Sequence, residues 1–357
     1  MSDSLTIKSV FREYTVDFSD DFLATIKERA AEGDFYILDK TITELHPGLL
    51  EIAGDSAWIV EAHEDAKSYE GVIPLINLLI EGGFRKNHRL IAVGGGITQD
   101  VASYVASLLF RGVDWIFYPT NVLTQCDSCI GSKTSINFRK YKNQLGGFYP
   151  PAEVVIDTNL LTTLGDQEIS SGMGEMLHYM LVTSEADHQL FLEQAPLMHG
   201  SQDAIRTMMR RSLEIKKAMI EIDEFDKGPR NVFNYGHSFG HALESAAGYA
   251  IPHGIAVSYG IDLANIVSAH FGLIDIAERN RLRNACQMVF KDTPLPEISM
   301  DDYFAAIKKD KKNVGHQLGL ILTRGVGDMF KRLCDFDEDL QRIMTDFFKN
   351  KSYAGDL

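Results

Sequence analysis

Three of the chain's eleven histidines fall within seventeen residues, in His237-Ser238-Phe239-Gly240-His241 and then His253. If residues 237–241 are helical, His237 and His241 sit one turn apart on one face. Neutral imidazoles on one face, joined by a carboxylate, make a suitable first shell for a zinc-type cation. The candidate carboxylates are Glu175, preceded by Gly172 and Gly174 in an apolar helical run, and Glu244. A lone H-x-x-x-H is more often structural than metallic; the third histidine tips the balance toward a metal. Arg230 and Asn234 lie upstream and would add an anion-binding face if that stretch is helical.

A second feature is Gly94-Gly95-Gly96, between an apolar run at 89–93 and a helical pattern at 100–110. Glycines there let the backbone approach a phosphate, and a helix N-terminus favours negative charge. The run is not G-x-G-x-x-G, so the dinucleotide fingerprint is absent, and a tight turn explains three glycines about as well. Further along, Asp127-Ser128, Lys133-Thr134 and Lys142-Asn143 concentrate polar and cationic groups. Arg139 and Lys140 read as a solvated loop. Lys133, between apolar and glycine positions, reads as a cation aimed at a ligand.

The elements that must position these groups change character along the chain. Strands are predicted over 35–38, 56–60, 89–93 and 115–118, with helices over 72–81 and 100–110 between them. Strands alternating with helices imply βαβ units and a doubly wound, mainly parallel sheet. From about residue 167 helical patterns dominate, over 168–182, 204–222, 238–248, 255–271 and 276–290, with one strand signal at 319–323. The expected architecture is an α/β N-terminal domain over 1–165 and an all-α C-terminal domain over 166–357.

Composition excludes several classes. The 357 residues are 45% hydrophobic and 24% charged, as in ordinary globular proteins. A net charge of −15 argues against nucleic acid as a partner. No apolar run is long enough for a membrane span, and the N-terminus lacks the features of a secretory signal, so a cytoplasmic protein is expected. Four cysteines do not form a disulfide framework; Cys126 and Cys129, although spaced C-x-x-C, lack a second such pair and read as small, partly buried thiols.

Several of these motifs fall together in one order. Gly94-Gly95-Gly96-Ile97-Thr98-Gln99-Asp100, Phe110-Arg111-Gly112, Pro119-Thr120, Asp127-Ser128, Lys133-Thr134, Lys142-Asn143 and Gly174-Glu175 precede Arg230-x-x-x-Asn234-x-x-His237-x-x-x-His241-x-x-Glu244, with His253 following. In this the chain resembles 3-dehydroquinate synthase and the wider sugar phosphate cyclase superfamily, over roughly residues 35–325.

The resemblance implies an NAD-binding N-terminal domain and a helical C-terminal domain binding Zn²⁺ or Co²⁺ through Glu175, His237 and His253. On that basis His241 contacts substrate phosphate and is not a ligand, against the pairing read from spacing. NAD contacts are implied at Asp39, Glu64, Lys67, Gly94, Gly95, Gly96, Asp100, Thr120, Asn121, Asp127, Ser128, Thr163 and Glu168, with Lys142 near both ligands. Substrate contacts are implied at Lys133, Asn143, Lys216, Arg230, Asn234 and His241, with Arg111 reaching in from the partner of a homodimer. In the late motif Asp310-Lys311-Lys312-Asn313, Lys311 is the favoured phosphate lysine, with Lys312 the alternative. The implied reaction converts 3-deoxy-arabino-heptulosonate 7-phosphate to 3-dehydroquinate and phosphate. It proceeds through transient oxidation by NAD, β-elimination, re-reduction and aldol closure, with the metal as Lewis acid.

Three departures stand out. The family's Gly-Gly-Lys reads Ser132-Lys133 after Gly131, its second threonine after Pro119 is Asn121, and its lysine three residues past the metal glutamate is His178. These keep open a sibling cyclase forming a valiolone, an aminodehydroquinate or a deoxy-inosose. Valiolone-forming relatives usually lose the histidine kept here as His241, and Lys216 with Arg230 favours a carboxylate-bearing substrate. An NAD- and metal-dependent polyol or alcohol dehydrogenase is the alternative from another class; a simple alcohol needs no such cationic set.

Overall fold

The computed structural model of the chain describes residues 4–139 and 141–350. Residues 1–3, read for targeting signals, and Lys140, assigned above to a solvated loop, lie outside them. The chain forms two compact units, Met1–Thr163 with Lys216–Phe225, and Leu164–Ile215 with Asp226–Leu357. The sequence reading has a single cut after residue 165; in the structure residues 216–225 group with the first unit.

The first unit is built on a seven-stranded sheet. In chain order the strands are β1 (Ser4–Lys8), β2 (Glu13–Ser19), β3 (Phe35–Asp39), β4 (Ala57–Val60), β5 (Arg89–Gly94), β6 (Asp114–Pro119), β7 (Lys133–Phe138), β8 (Tyr141–Phe148) and β9 (Glu153–Asp157). The sheet runs β1-β2-β9-β6-β5-β3-β4, parallel throughout except for β1 on β2. Its central strands, Leu90-Ile91-Ala92-Val93, Trp115-Ile116-Phe117-Tyr118 and Val154-Val155-Ile156, are buried along their whole length. Parallel strands covered on both faces require such unbroken apolar runs. Leu38, Val93, Tyr118 and Val155 share one core cluster.

Strand order fixes where a ligand can bind. The chain leaves β3 outward to β4, but leaves β5 toward β6 on the other side. This reversal between β3 and β5 is the switch point at which open α/β sheets bind ligands, beyond the carboxyl ends of the strands. Asp39 ends β3, Gly94 ends β5, and Pro119, in register with Gly94, ends β6.

Two parts of this unit differ from expectation. β1 and β2 were not predicted, although β2 carries the period-two signal of a half-buried strand: Tyr14 and Val16 are buried, Glu13 exposed and Thr15 and Asp17 partly so. The segment around Lys133 and Lys142, for which no strand is predicted, forms the antiparallel hairpin β7–β8, whose second strand is almost wholly exposed and so lacks an apolar face to betray it; Arg139, read as a solvated loop, is exposed at the turn between the two strands.

The second unit is mainly helical, with helices Asp166–Thr183, His237–Ala246, His253–His270 and Ile276–Phe290. In His253–His270 every residue from Gly254 to Ser268 is buried, so it is the unit's central helix. The strand signal at 319–323 belongs to β10 (Gln317–Thr323), and it pairs with an unpredicted antiparallel partner, β11 (Met329–Asp335). Among the described residues no helix is long and apolar enough to cross a membrane.

Candidate active site

In the second unit, glycines decide which side chains meet. A Cβ on Gly174 would collide with the carbonyl of Gly254, and one on Gly254 with the carbonyl of Ser171. Helices Asp166–Thr183 and His253–His270 therefore touch backbone to backbone, which brings the next residue of one, Glu175, against the preceding residue of the other, His253. Helix His237–Ala246 approaches the same central helix equally closely, since a Cβ on Gly260 would collide with the Gly236 carbonyl. Gly236, at φ 80°, turns the chain sharply so that His237 is the first residue of its helix.

The result is a convergent trio. One ligand atom from each of Glu175, His237 and His253 lies within 4.8 Å of the others. His253 Nε2 is 2.9 Å from Glu175 Oε1, and His237 Nε2 is 3.7 Å from the same oxygen. Glu175 is 2% exposed, and its Oε1 makes no hydrogen bond among the described residues. A buried carboxylate oxygen left this way, faced by two imidazole nitrogens, fits a divalent cation.

Each member of the trio also has an outer partner. His237 Nδ1 donates to the Tyr235 carbonyl at 3.2 Å, and His253 Nδ1 to Glu244 Oε2 at 3.0 Å. Both rings thereby direct the Nε2 lone pair inward. His178 Nδ1 lies 3.4 Å from Glu175 Oε2. Burial, then the neighbouring histidines, push the pKa of His237 well down and keep it neutral. Burial also opposes a charge on His253, but Glu175 and Glu244 outweigh it and raise its pKa well above the ordinary value. A cation between Nε2 and Oε1 would take the place of that proton.

The other expected residues of this unit fall around the trio. His241 is not in it; it groups with Glu244 and His253, its ring stacked on His253 at 5.5 Å between centroids. His178, read as a group beside metal and substrate, is 1% exposed and packs against Tyr179, Phe233 and His237. It reaches Glu175 instead of open solvent. Arg230 and Asn234 lie on a 3₁₀ turn, Pro229–Asn234, that ends before Gly236, so the continuous helix to His237 entertained above does not form. Of the two lysines, Lys312 bears electrostatically on His237 and His241 and pairs with Asp310 at 3.0 Å. Lys311, the favoured choice in the sequence, is exposed. Glu168 is spent on its own helix start, accepting from Gly165 N at 2.9 Å.

In the first unit several expected dinucleotide contacts fall at carboxyl ends of strands: Asp39 ends β3, Gly94 ends β5 and Thr120 follows β6. Helix Gly96–Leu108 begins there with Gly95 as its N-cap. A Cβ on Gly95 would press on Asn121 Nδ2, whereas one on Gly96 would meet nothing within 4 Å. That open backbone at a helix start is where a phosphate can approach. Asn121, in place of the family's threonine, accepts from Thr124 N and Oγ1, each at 2.9 Å, and so shapes the turn opposite Gly95. Thr120 N donates to the Gly94 carbonyl at 3.1 Å. Gln99, absent from the expected contacts, pairs reciprocally with Ser128 through two 2.6 Å bonds and ties the helix to segment 124–128. Asp39 caps its following helix through Thr41 N, and burial raises its pKa.

Ion pairs join most of the remainder. Lys67 faces Asp100 at 2.5 Å, Lys142 faces Glu64 at 3.4 Å, and Lys216 faces Asp127 at 2.7 Å. Lys133 and Asn143 are exposed on the β7–β8 hairpin. Arg111 is exposed on a loop with three consecutive positive φ values. Thr163 is exposed at the end of a 3₁₀ turn, and no described contact joins it to the glycine run.

The chain is similar to known proteins over most of its length. Residues 57–171 match the model for the 3-dehydroquinate synthase N-terminal domain and residues 172–313 that for its C-terminal domain. The chain is 35% identical over 289 residues to 3-dehydroquinate synthase of Sulfurovum sp., covering 81% of each. It is 32% identical over 347 residues to a bifunctional 3-dehydroquinate synthase/phosphatase of Fusobacterium nucleatum, covering 96% of this chain but only 51% of that one. Among solved structures, 2-epi-5-epi-valiolone synthase of Streptomyces hygroscopicus, with NAD⁺ and Zn²⁺ bound, superposes with a TM-score of 0.81 at 26% identity, over 95% of this chain and 97% of that one. The chain belongs to the 3-dehydroquinate synthase family.

Proposed function

We propose that the protein is an NAD- and divalent-metal-dependent 3-dehydroquinate synthase, releasing phosphate from 3-deoxy-arabino-heptulosonate 7-phosphate as it closes a carbocycle. The observation that carries this is the orphaned Glu175 Oε1 facing His237 and His253. The choice within the superfamily is supported by identity: 35% to a 3-dehydroquinate synthase, against 26% to a valiolone-forming cyclase of similar fold.

When bound, NAD supplies reversible oxidation of a substrate hydroxyl and the cation supplies Lewis acidity at the hydroxyl oxygens. The residues of the chain do the rest. Glu175, His237 and His253 hold the cation, and the Gly94-Gly95-Gly96 turn, Asp39, Asp100, Thr120 and Asp127 hold the dinucleotide. Lys133, Lys142, His241 and Lys312 bind the phosphate and stabilise its departure. Lys216 and Arg230 receive a carboxylate, for which guanidinium offers a bidentate fork. The enzyme works as a cytoplasmic homodimer, with Arg111 completing the site of its partner; the exposed Arg111 loop supports this reading.

The decisive experiment supplies purified protein with NAD, Zn²⁺ or Co²⁺ and a panel of sugar phosphates. Phosphate release from the heptulosonate phosphate is expected. Release only from sedoheptulose 7-phosphate or glucose 6-phosphate would reassign the chain to a sibling cyclase. Net NADH formation from an alcohol, without phosphate, would make it a dehydrogenase.

A further inference from the structure

We propose that Glu244 is a positioning residue of the metal centre, which orients His253 without itself coordinating the ion. The inference rests on the assignment of Glu175, His237 and His253 as ligands.

His253 is the first residue of its helix and follows Pro252, so no preceding helical turn packs against its ring. Its side chain is 31% exposed, the most accessible of the three ligands. Something else must fix its rotation and choose which nitrogen carries the proton. Glu244 does both. Its Oε2 accepts from Nδ1 at 3.0 Å, which leaves Nε2, 2.9 Å from Glu175 Oε1, as the lone-pair donor. Glu244 comes from the same helix as His237, two turns on, and its side chain is 13% exposed, so the bond is sheltered from competing water.

A rival placement exists on the same residues. His241, Glu244 and His253 also present ligand atoms within 4.8 Å of one another, which would make Glu244 a ligand. The two groups differ in what their carboxylates already do. Glu244 Oε2 accepts from the Nδ1–H of one imidazole, whereas the buried Glu175 Oε1 faces the Nε2 atoms of two, His253 at 2.9 Å and His237 at 3.7 Å. A cation relieves the second oxygen and disrupts the first. The geometry therefore sets Glu244 one imidazole away from the ion, where its negative charge raises the basicity of the ligand ring.

The test measures metal affinity of metal-stripped, full-length protein by Zn²⁺ titration against a chromophoric chelator, and the visible spectrum of the Co²⁺ form. Glu244→Ala is expected to weaken Zn²⁺ binding by roughly 10–100-fold. It should still bind one ion per chain, with an unchanged Co²⁺ band shape, and excess Co²⁺ should restore turnover. Glu244→Gln, whose amide oxygen can still accept from Nδ1, should recover part of the affinity and serves if the alanine variant folds poorly. Glu175→Gln should lose stoichiometric binding altogether. Unchanged affinity in both Glu244 variants would overturn the proposal. So would a Co²⁺ spectrum altered as severely as in Glu175→Gln, since Glu244 would then be a ligand. Normal binding by Glu175→Gln would instead overturn the underlying ligand assignment, an outcome visible without reference to Glu244.

Discussion

Lys216 Nζ sits 2.7 Å from both the backbone carbonyl and Oδ1 of Asp127, on a side chain only 7% exposed. A sheltered ammonium must be paired, and this pairing anchors residue 216 beside segment 124–128 of the first unit. If Lys216 also receives a substrate carboxylate, its charge is shared between Asp127 and the ligand. Lys216→Met should then lower kcat/KM for the heptulosonate phosphate by roughly 10–100-fold, chiefly through KM, as expected for a lost charge-assisted hydrogen bond. Steady-state kinetics decides this. An unaltered KM would leave Lys216 a structural tie alone.

The ligand trio makes a sharper prediction. His237→Ala should abolish stoichiometric Zn²⁺ binding, while His241→Ala, outside the trio, should retain it and lose affinity for the phosphorylated substrate. Metal content after dialysis, read beside substrate KM, separates the two. Equal metal loss in both variants would refute the trio.

Much of this was legible in the sequence where one residue type had one physical use. Unbroken apolar runs announced the parallel strands, and the glycines after β5 announced the turn at the sheet edge. Spacing alone pairs His237 with His241, which do share a helix, whereas the second histidine that meets Glu175 is brought by a different helix. That meeting depends on Gly174 and Gly254 touching across two helices, a long-range contact with no local signature. Adjacent lysines are equally mute: Lys312 pairs with Asp310 while Lys311 is exposed, a difference set only by which way the folded chain points them. The β7–β8 hairpin stayed hidden because its exposed second strand shows no hydrophobic period.

The loop bearing Arg111 is bridged by Lys86. Lys86 Nζ donates to the carbonyls of Phe110 and Gly112, each at 2.8 Å, across a turn in which Phe110, Arg111 and Gly112 have φ of 49°, 62° and 111°. Two non-glycine residues in this region cost about 1 kcal/mol each or more, so the loop needs such a clamp. Lys86→Met should lower kcat/KM about tenfold if Arg111 acts in catalysis, with a small change in Tm, and Lys86→Arg should restore part of it. A variant that loses stability but keeps full kcat/KM would confine Lys86 to a structural role.

His188 sets part of the acid limit of the fold. It is 1% exposed, and Arg281 Nη1 approaches its Nδ1 at 3.0 Å. Burial, and then the Arg281 charge, push its pKa below the usual 6.5. The native state therefore keeps this ring neutral where the unfolded chain has begun to bind a proton. The resulting stability is present above about pH 6.5 and is lost as pH falls below it, by at most about 1.4 kcal/mol per unit for one proton. His188→Gln keeps an acceptor for Arg281 and cannot titrate. In urea denaturation of metal-free protein at pH 7.5 and 5.5, the variant should lose less stability than wild type over that interval. Equal losses would mean that His188 titrates alike in both states, and the acid sensitivity would have to come from another group.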